Sequence, residues 1–281
     1  MVIFNRSALA GRLGRFVILN EKEEDFVAYA QLESKRKRKG DCLVRVGEPV
    51  DRVMILQSGW AVMKSKSKSQ GNQILQTYLP GDIIGLTEIG SAHATHQVTM
   101  QTDGTVSKMS RRDFYRRLTG YPRLAALLIA IGSLELVALR YHAACMNSMD
   151  GSKNLKFFLL QLRSRLHVDH VGNGERFQVP FSQVEIGQAI GMTSIYVNKL
   201  LRSFKEAGEI EIERPYFRLL KRKKWEIETE FRDAFTDIDT SWFPSADDDE
   251  LTGFRHNLRD VPHPSSVAIL SEKRKSELLA N

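Results

Sequence analysis

The sequence predicts an α+β fold: an N-terminal jelly-roll β-barrel, one long helix that pairs with a second copy, and a C-terminal winged helix-turn-helix. Three observations carry this prediction. Turn signals recur about every ten residues between Cys42 and Val106, an apolar repeat of three and four runs from Leu124 to Cys145, and residues 182–202, SQVEIGQAIGMTSIYVNKLLR, space small and apolar residues as two crossed helices require.

The barrel comes first. Short apolar or alternating runs are broken by GEP at 47–49, SG at 58–59, QGN at 70–72, PGD at 80–82 and DG at 103–104, the pattern of many short strands joined by tight turns. In WAVMKSKSK the alternation places Lys64, Lys66 and Lys68 on one face, and QGN closes a hairpin onto QILQTYL.

After Tyr121-Pro122 no proline occurs until Pro180. Leu124, Leu127, Ile131, Leu134, Ala138, Tyr141 and Cys145 form an a/d seam, which predicts a parallel helix pair in a symmetric dimer. Leu136, Val137 and Leu139 widen the apolar face toward the barrel. A single helix packed on its own barrel is the competing reading. The helix should end between Asn147 and Gly151, where Asp150 or Ser152 caps the next helix, NLKFFLLQLRSRL, and Asp150-Gly151 is the expected hinge.

Residues 182–202 carry the strongest functional signal. Gly187 is the small residue at the helix crossing, Gly191 the turn, and Ile186, Ile190, Met192, Val197 and Leu200 the apolar locks. Ser182 with Glu185 three residues on makes a capping box. On the second helix Thr193, Ser194, Ile195, Tyr196, Asn198, Lys199 and Arg202 are left over from packing and form a face able to enter a major groove. Lys199 suits guanine, Asn198 adenine, Ile195 a thymine methyl, and Thr193 or Arg202 phosphate. EAGEIEIERPYFRLLKRKKW then reads as a wing of two strands around Arg214-Pro215, with Lys221–Lys224 at its end.

Charge changes sign along the chain. Residues 1–149 hold 21 Lys/Arg against 13 Asp/Glu, residues 150–225 hold 14 against 8, and residues 226–281 hold 6 against 13. A basic body suits a polyanion partner, and an acidic tail would compete for the same surface. The longest apolar run free of charge, Leu124–Leu134, is far short of the roughly 20 residues that span a bilayer, and Arg6, Arg12 and Arg15 break any signal-peptide core, so a soluble, cytoplasmic protein is expected. The two cysteines, Cys42 and Cys145, cannot assemble a zinc or iron–sulfur centre within one chain, so no metal and no cofactor is expected. No nucleophile elbow, Walker loop or HExxH occurs, which argues against an enzyme.

Barrel, dimer helix and winged helix in this order resemble the Crp/Fnr family of bacterial transcription regulators, from about Leu13 to Trp225. Gly40-Asp41, Gly47-Glu48-Pro49, Ser58-Gly59-Trp60-Ala61, Leu79-Pro80-Gly81-Asp82, Tyr121-Pro122-Arg123-Leu124-Ala125 and TSIYVNKLL carry the resemblance. It implies a cyclic-nucleotide-binding-like barrel with N-terminal helices in residues 1–119, a dimerisation helix in 120–149 and a DNA-binding domain in 150–225; residues 226–281 lie outside it, and their charge and prolines read as an acidic, flexible tail after EIETEFRDAF, which could continue as a helix. It further implies a homodimer on a palindromic duplex, with RNA polymerase as a further partner and Asp150 capping the helix that hinges the DNA-binding domain.

The departures are informative. The cyclic-nucleotide branch of the family anchors ribose with Glu and phosphate with Arg-Ser in the loop after the Gly-Asp turn; here those places fall near Gly85-Leu86 and Ala94-Thr95. From Ser69 through Ser107 there is no Lys or Arg, so a buried phosphate lacks a charge-assisted partner. The base-contacting places on the long helix look like Leu139 and Arg140, and Arg140 is the one cation able to reach a ligand from outside the loop. The resemblance therefore implies a degenerate or altered effector pocket that does not take cyclic AMP. The iron–sulfur branch needs N-terminal cysteines, and none precedes Cys42. His93 and His96 would bind a metal only from one helical turn, and Cys145, on the expected seam, would face its symmetry mate. Outside the regulator class, the alternative is an interaction module whose winged helix docks a partner protein.

Overall fold

The computed structural model describes residues 7–67, 71–166, 176–236 and 238–245. Two short helices lead, α1 (Ala8–Leu13) and α2 (Glu21–Tyr29). Asn20 and Glu23 form a capping box on α2, and Glu23 also receives the Arg123 guanidinium, tying the N-terminus to the long helix.

Eight strands follow: β1 (Ser34–Lys37), β2 (Cys42–Val44), β3 (Arg52–Ser58), β4 (Ala61–Ser67), β5 (Gly71–Tyr78), β6 (Ile83–Ile84), β7 (Gln97–Met100) and β8 (Gly104–Ser110). They make two four-stranded sheets, ordered β1-β8-β3-β6 and β2-β7-β4-β5. The inward residues of both sheets, Met54, Leu56, Ala61, Met63, Tyr78, Ile84, Val98, Met100 and Val106, form one core. Ala61 and Met63 of β4 face this core while Val62 between them is buried on the other side, and the β4–β5 register shifts between Met63 and Lys64. Lys64 is half-buried, and Lys68 of the expected lysine face lies outside the described residues.

Helix α3 (Arg111–Leu118) leads to α4 (Pro122–Ser148), with Pro122 at its first turn, where a missing N–H costs nothing. By length and composition alone, Pro122–Met146 is apolar enough to cross a membrane, although Arg123, Glu135 and Arg140 interrupt it. The reason is that α4 is apolar on two sides. Leu124, Leu127, Leu128 and Ile131 pack with α1, α2 and β3 in a single cluster. The expected seam therefore lies largely inside the protomer: Leu124, Leu127, Ile131 and Cys145 are buried, Leu134 and Ala138 are half-buried, and only Tyr141 is exposed. Ile129, Leu136, Leu139, Ala143 and Met146 form the exposed face instead, and with Gly132 they repeat at steps of three and four. Cys145, expected on an open seam, is instead buried within the protomer, and burial pushes its thiol above its ordinary value, away from the reactive thiolate.

Asp150 accepts from the Lys153 backbone N–H at 2.9 Å and caps α5 (Gly151–Leu166). Then come β9 (Arg176–Gln178), α6 (Gln183–Ile190), α7 (Ser194–Glu206), β10 (Ile210–Glu213), β11 (Tyr216–Leu219) and α8 (Arg222–Glu228). β9 joins the two expected wing strands as a third, in the order β10-β11-β9. The run Lys221–Lys224 is not a strand end; it opens α8, where Lys224 pairs with Glu209 at 2.5 Å.

Beyond Trp225 the chain departs from the expected flexible tail. Residues 226–236 and 238–243 return along α5 toward the N-terminal helices, with Phe231 against Phe157, Phe235 buried, and Ile238 and Phe243 against the α1–α4 cluster. Residues 246–281, the acidic remainder, lie outside the described residues.

Candidate nucleic-acid interface and effector cavity

The two helices α6 and α7 are positioned by local chemistry. Ser182 accepts from the Glu185 N–H while Glu185 accepts from the Ser182 N–H at 2.8 Å, closing the capping box. Gly191 ends α6 with φ 70°, a left-handed conformation that glycine adopts without a Cβ penalty. Gly187 lies directly under the turn, where a β-carbon would meet the Met192 carbonyl oxygen at 2.3 Å. Thr193 caps α7 by accepting from the Tyr196 N–H. Ile186, Ile190, Val197, Leu200, Leu201 and Phe204 are buried between α5, α6, α7 and the wing, over a floor of Phe158, Phe177, Phe181, Phe217 and Trp225 that the motif alone does not announce.

What packing leaves over forms one open face. Ile195 is 83% exposed, an unusual place for an isoleucine without a partner. Thr193, Asn198, Lys199 and Arg202 are exposed beside it, and Ser194 is half-buried. Asn198 accepts from the Gln183 side chain at 3.1 Å, which orients its amide across the start of α6. Tyr196 differs from the rest. It leans over Gly151 at the hinge, where an added β-carbon would touch its ring at 2.4 Å, so its ring serves the α5 start as well as the surface.

The domain carrying this face is fastened to the barrel. Gln101 of the barrel donates to Pro180 O and to Glu185, both at 2.9 Å, and Trp60 meets Phe181 edge-on at 5.8 Å. Arg165 near the end of α5 reaches Asp82 at 2.5 Å and Thr77 O at 2.6 Å; Arg12 approaches the same carboxylate at 3.3 Å. Buried charge is tolerated here because each carboxylate has a guanidinium partner.

A cavity of about 590 Å³ lies between β5, α4, α5 and α6. Of the expected pocket residues, Thr95 and Leu139 line it; Gly85, Leu86, Ala94 and Arg140 do not. Leu86 packs into the α1–α4 cluster, Ala94 is buried, and the Arg140 side chain is exposed. Glu88, which sequence reasoning passed over, lines the cavity and accepts from the Thr95 hydroxyl at 2.7 Å. Arg165 is the only lysine or arginine among the lining residues, and it is engaged by Asp82. Burial, and then the Asp82 charge, push the Glu135 carboxyl above its ordinary value against the opposing pull of Arg165 and Arg12. His93 bridges to Pro49 and His96 sits in a bend bonded to Thr95, so the two histidines do not share a helical turn. Among the described residues no cluster of three metal-ligating side chains occurs.

With this geometry in place, the comparisons with known proteins are decisive. Residues 34–121 match the cyclic nucleotide-binding domain family and residues 155–225 the Crp-like helix-turn-helix domain family, together more than half of the chain. The chain belongs to the Crp/Fnr family of transcription regulators. Its Crp/Fnr relatives include the transcriptional regulatory protein btr of Bordetella pertussis, 28% identical over 189 residues, which span 67% of this chain and 77% of the relative. They also include the fumarate and nitrate reduction regulatory protein of Escherichia coli, 21% identical over 198 residues, 70% of this chain and 79% of the relative. FixK2 of Bradyrhizobium japonicum shares the fold with a TM-score of 0.61 at 20% identity, over 69% of this chain and 95% of that structure. As expected from the missing catalytic motifs, Crp/Fnr is a family of DNA-binding regulators and not of enzymes. Both matched segments stop short of the returning residues 226–236 and 238–243.

Proposed function

We propose that the chain acts as a homodimer on a palindromic DNA site, with a barrel that is not switched by a cyclic nucleotide. The observation that carries the reading is the open face of α7: Ile195, Asn198, Lys199 and Arg202 project from a helix whose other side is locked by Val197, Leu200, Leu201 and Phe204. Thr193, Ser194 and Tyr196 complete the surface at its N-terminal end.

The exposed stripe Ile129, Gly132, Leu136, Leu139, Ala143 and Met146 supports the dimer, since an apolar seam of this length left in water favours a partner helix. The stripe forms one lip of the cavity, so the partner helix closes that side. Against a cyclic nucleotide stands the cavity itself, whose only guanidinium is occupied by Asp82 and whose wall carries two carboxyls, Glu88 and Glu135, that would face a phosphate. An effector of this site is uncharged and largely apolar. The chain thereby falls in a subgroup with neither the cyclic-nucleotide nor the iron–sulfur signature, and it works where the DNA is, in the cytoplasm, with RNA polymerase as its partner.

The test is selection from random duplexes at moderate salt, with and without cyclic AMP, followed by sequencing. A palindromic motif enriched equally in both conditions is expected. Enrichment only with cyclic AMP overturns the effector reading, and no motif in either condition overturns the DNA reading in favour of a partner-docking module.

A further inference from the structure

We infer that residues 229–236 and 238–243 form a strap that sets the orientation of the winged helix from within the chain, without a bound small molecule. The inference rests on the reading of this protein as a dimeric DNA binder.

The strap starts where α8 ends. The Thr229 hydroxyl donates to Trp225 O at 2.7 Å, and Glu228 accepts from Lys156 of α5 at 2.6 Å. From there the chain follows α5 toward its C-terminus. Phe231 meets Phe157 with ring centroids 5.4 Å apart, and Asp233 accepts from the Ser164 hydroxyl. Past Ser164 the strap leaves the DNA-binding domain. Phe235 is buried beneath the Arg12 guanidinium, 5.3 Å from its ring, and Ile238 and Phe243 pack on the cluster formed by α1, α2 and α4. One covalent segment thus holds α5 at one end and the N-terminal helices with the long helix at the other.

Its position beside the Arg12–Asp82–Arg165 group gives it leverage. Arg165 is the charged tie between α5 and the barrel, and Arg15 donates to the Arg165 carbonyl at 2.8 Å. Phe235 covers Arg12, the second cation on Asp82, and shields this group from water, which strengthens each pair. The strap does not cover the reading face, because its contacts fall on α5 and the N-terminal helices while Ile195, Asn198, Lys199 and Arg202 stay exposed. It therefore positions the domain and does not block it. Loss of the strap leaves the affinity of one reading face for one half-site intact and weakens only simultaneous binding of two half-sites, for which both domains must be held in register.

The test compares the full chain with Phe231→Ala/Phe235→Ala, and with a truncation after Phe243 that keeps the strap and removes the rest of the tail. Affinity is measured for a duplex carrying the selected palindrome and for one carrying a single half-site, and proteolytic cleavage around Asp150-Gly151 is timed. The double variant should bind the palindrome about tenfold more weakly, within the usual range of coupling between sites, with half-site affinity unchanged and faster hinge cleavage. The truncation should match the full chain in hinge cleavage and in the ratio of palindrome to half-site affinity, because loss of a competing acidic segment would raise both affinities alike. Tighter binding by the double variant overturns the inference, because the strap would then be inhibitory. Equal losses on both duplexes, or unchanged hinge cleavage, overturn it as well. If the full chain binds no duplex, the DNA reading fails while the cleavage rates still decide whether the strap restrains the domain.

Discussion

Replacing Gly187 with alanine tests the crossing of α6 and α7 most directly. The added β-carbon would stand 2.3 Å from the Met192 carbonyl oxygen and 3.3 Å from the Met192 carbonyl carbon, where ordinary contact begins near 3.4 Å. Both atoms belong to the backbone of the turn, so no rotamer change relieves the clash and the turn itself must move. Overpacking of this kind costs about 1–3 kcal/mol, and a site that can yield only through backbone belongs near the top of that range. Alanine in a helix interior returns about 1 kcal/mol of propensity, which leaves a net loss of about 2 kcal/mol. Gly11→Ala is the control, since α1 is helical there and nothing lies within 4 Å of its added β-carbon; it should gain about 0.5–1 kcal/mol. Urea unfolding of the winged-helix transition and titration of the selected duplex read both effects. Gly187→Ala should lower the unfolding midpoint and weaken DNA binding, because Thr193 and Ser194 at the start of α7 move with the turn. A Gly187→Ala protein as stable as the parent, with DNA affinity intact, would refute the close approach and with it the assignment of the crossing.

The remaining expectations follow from single contacts. Glu209 is raised by burial but held below its ordinary 4.5 by hydrogen bonds from Lys224, Trp225 and Lys156 together. A carboxyl whose folded value is depressed contributes stability above its unfolded value and loses it as pH falls through the folded value. Glu209→Gln should therefore lower the melting temperature at pH 7, with the difference from the parent shrinking below about pH 4.5. Leu139→Glu puts a charge on the exposed stripe of α4 and should convert a dimer into a monomer by light scattering, while changing protomer stability by no more than about 0.5 kcal/mol. Lys199→Ala should cost about 1–3 kcal/mol in DNA binding and relax preference at one base position; a uniform loss across sequences with a smaller salt slope would reassign Lys199 to phosphate.

The parts of this protein that rest on short-range chemistry were legible in its sequence. Turns spaced through the barrel, the Ser182–Glu185 capping box and Gly187 and Gly191 at fixed offsets all act within a few residues, so spacing alone reveals them, whereas spacing left the α5 cap open between Asp150 and Ser152 and the structure gives it to Asp150. The α7 face was legible for the same reason, since a helix whose packing positions are known also declares which residues remain. Tertiary structure decided the rest. Helix α4 carries two interleaved apolar repeats, and periodicity cannot say which one meets the barrel; only the cluster around Leu124, Leu127 and Ile131 shows that the exposed stripe runs through Leu136, Leu139 and Met146. The Arg12–Asp82–Arg165 group joins residues more than 60 positions apart, and no local pattern announces it. The strap is the clearest case. Phe231, Phe235 and Ile238 fall at helical steps of four and three, yet the described residues there make turns and no helix, and among so many charged and polar residues the composition reads as tail. Their anchors on Phe157, on Arg12 and on the α1–α4 cluster lie far upstream in the chain, and only folding brings them together.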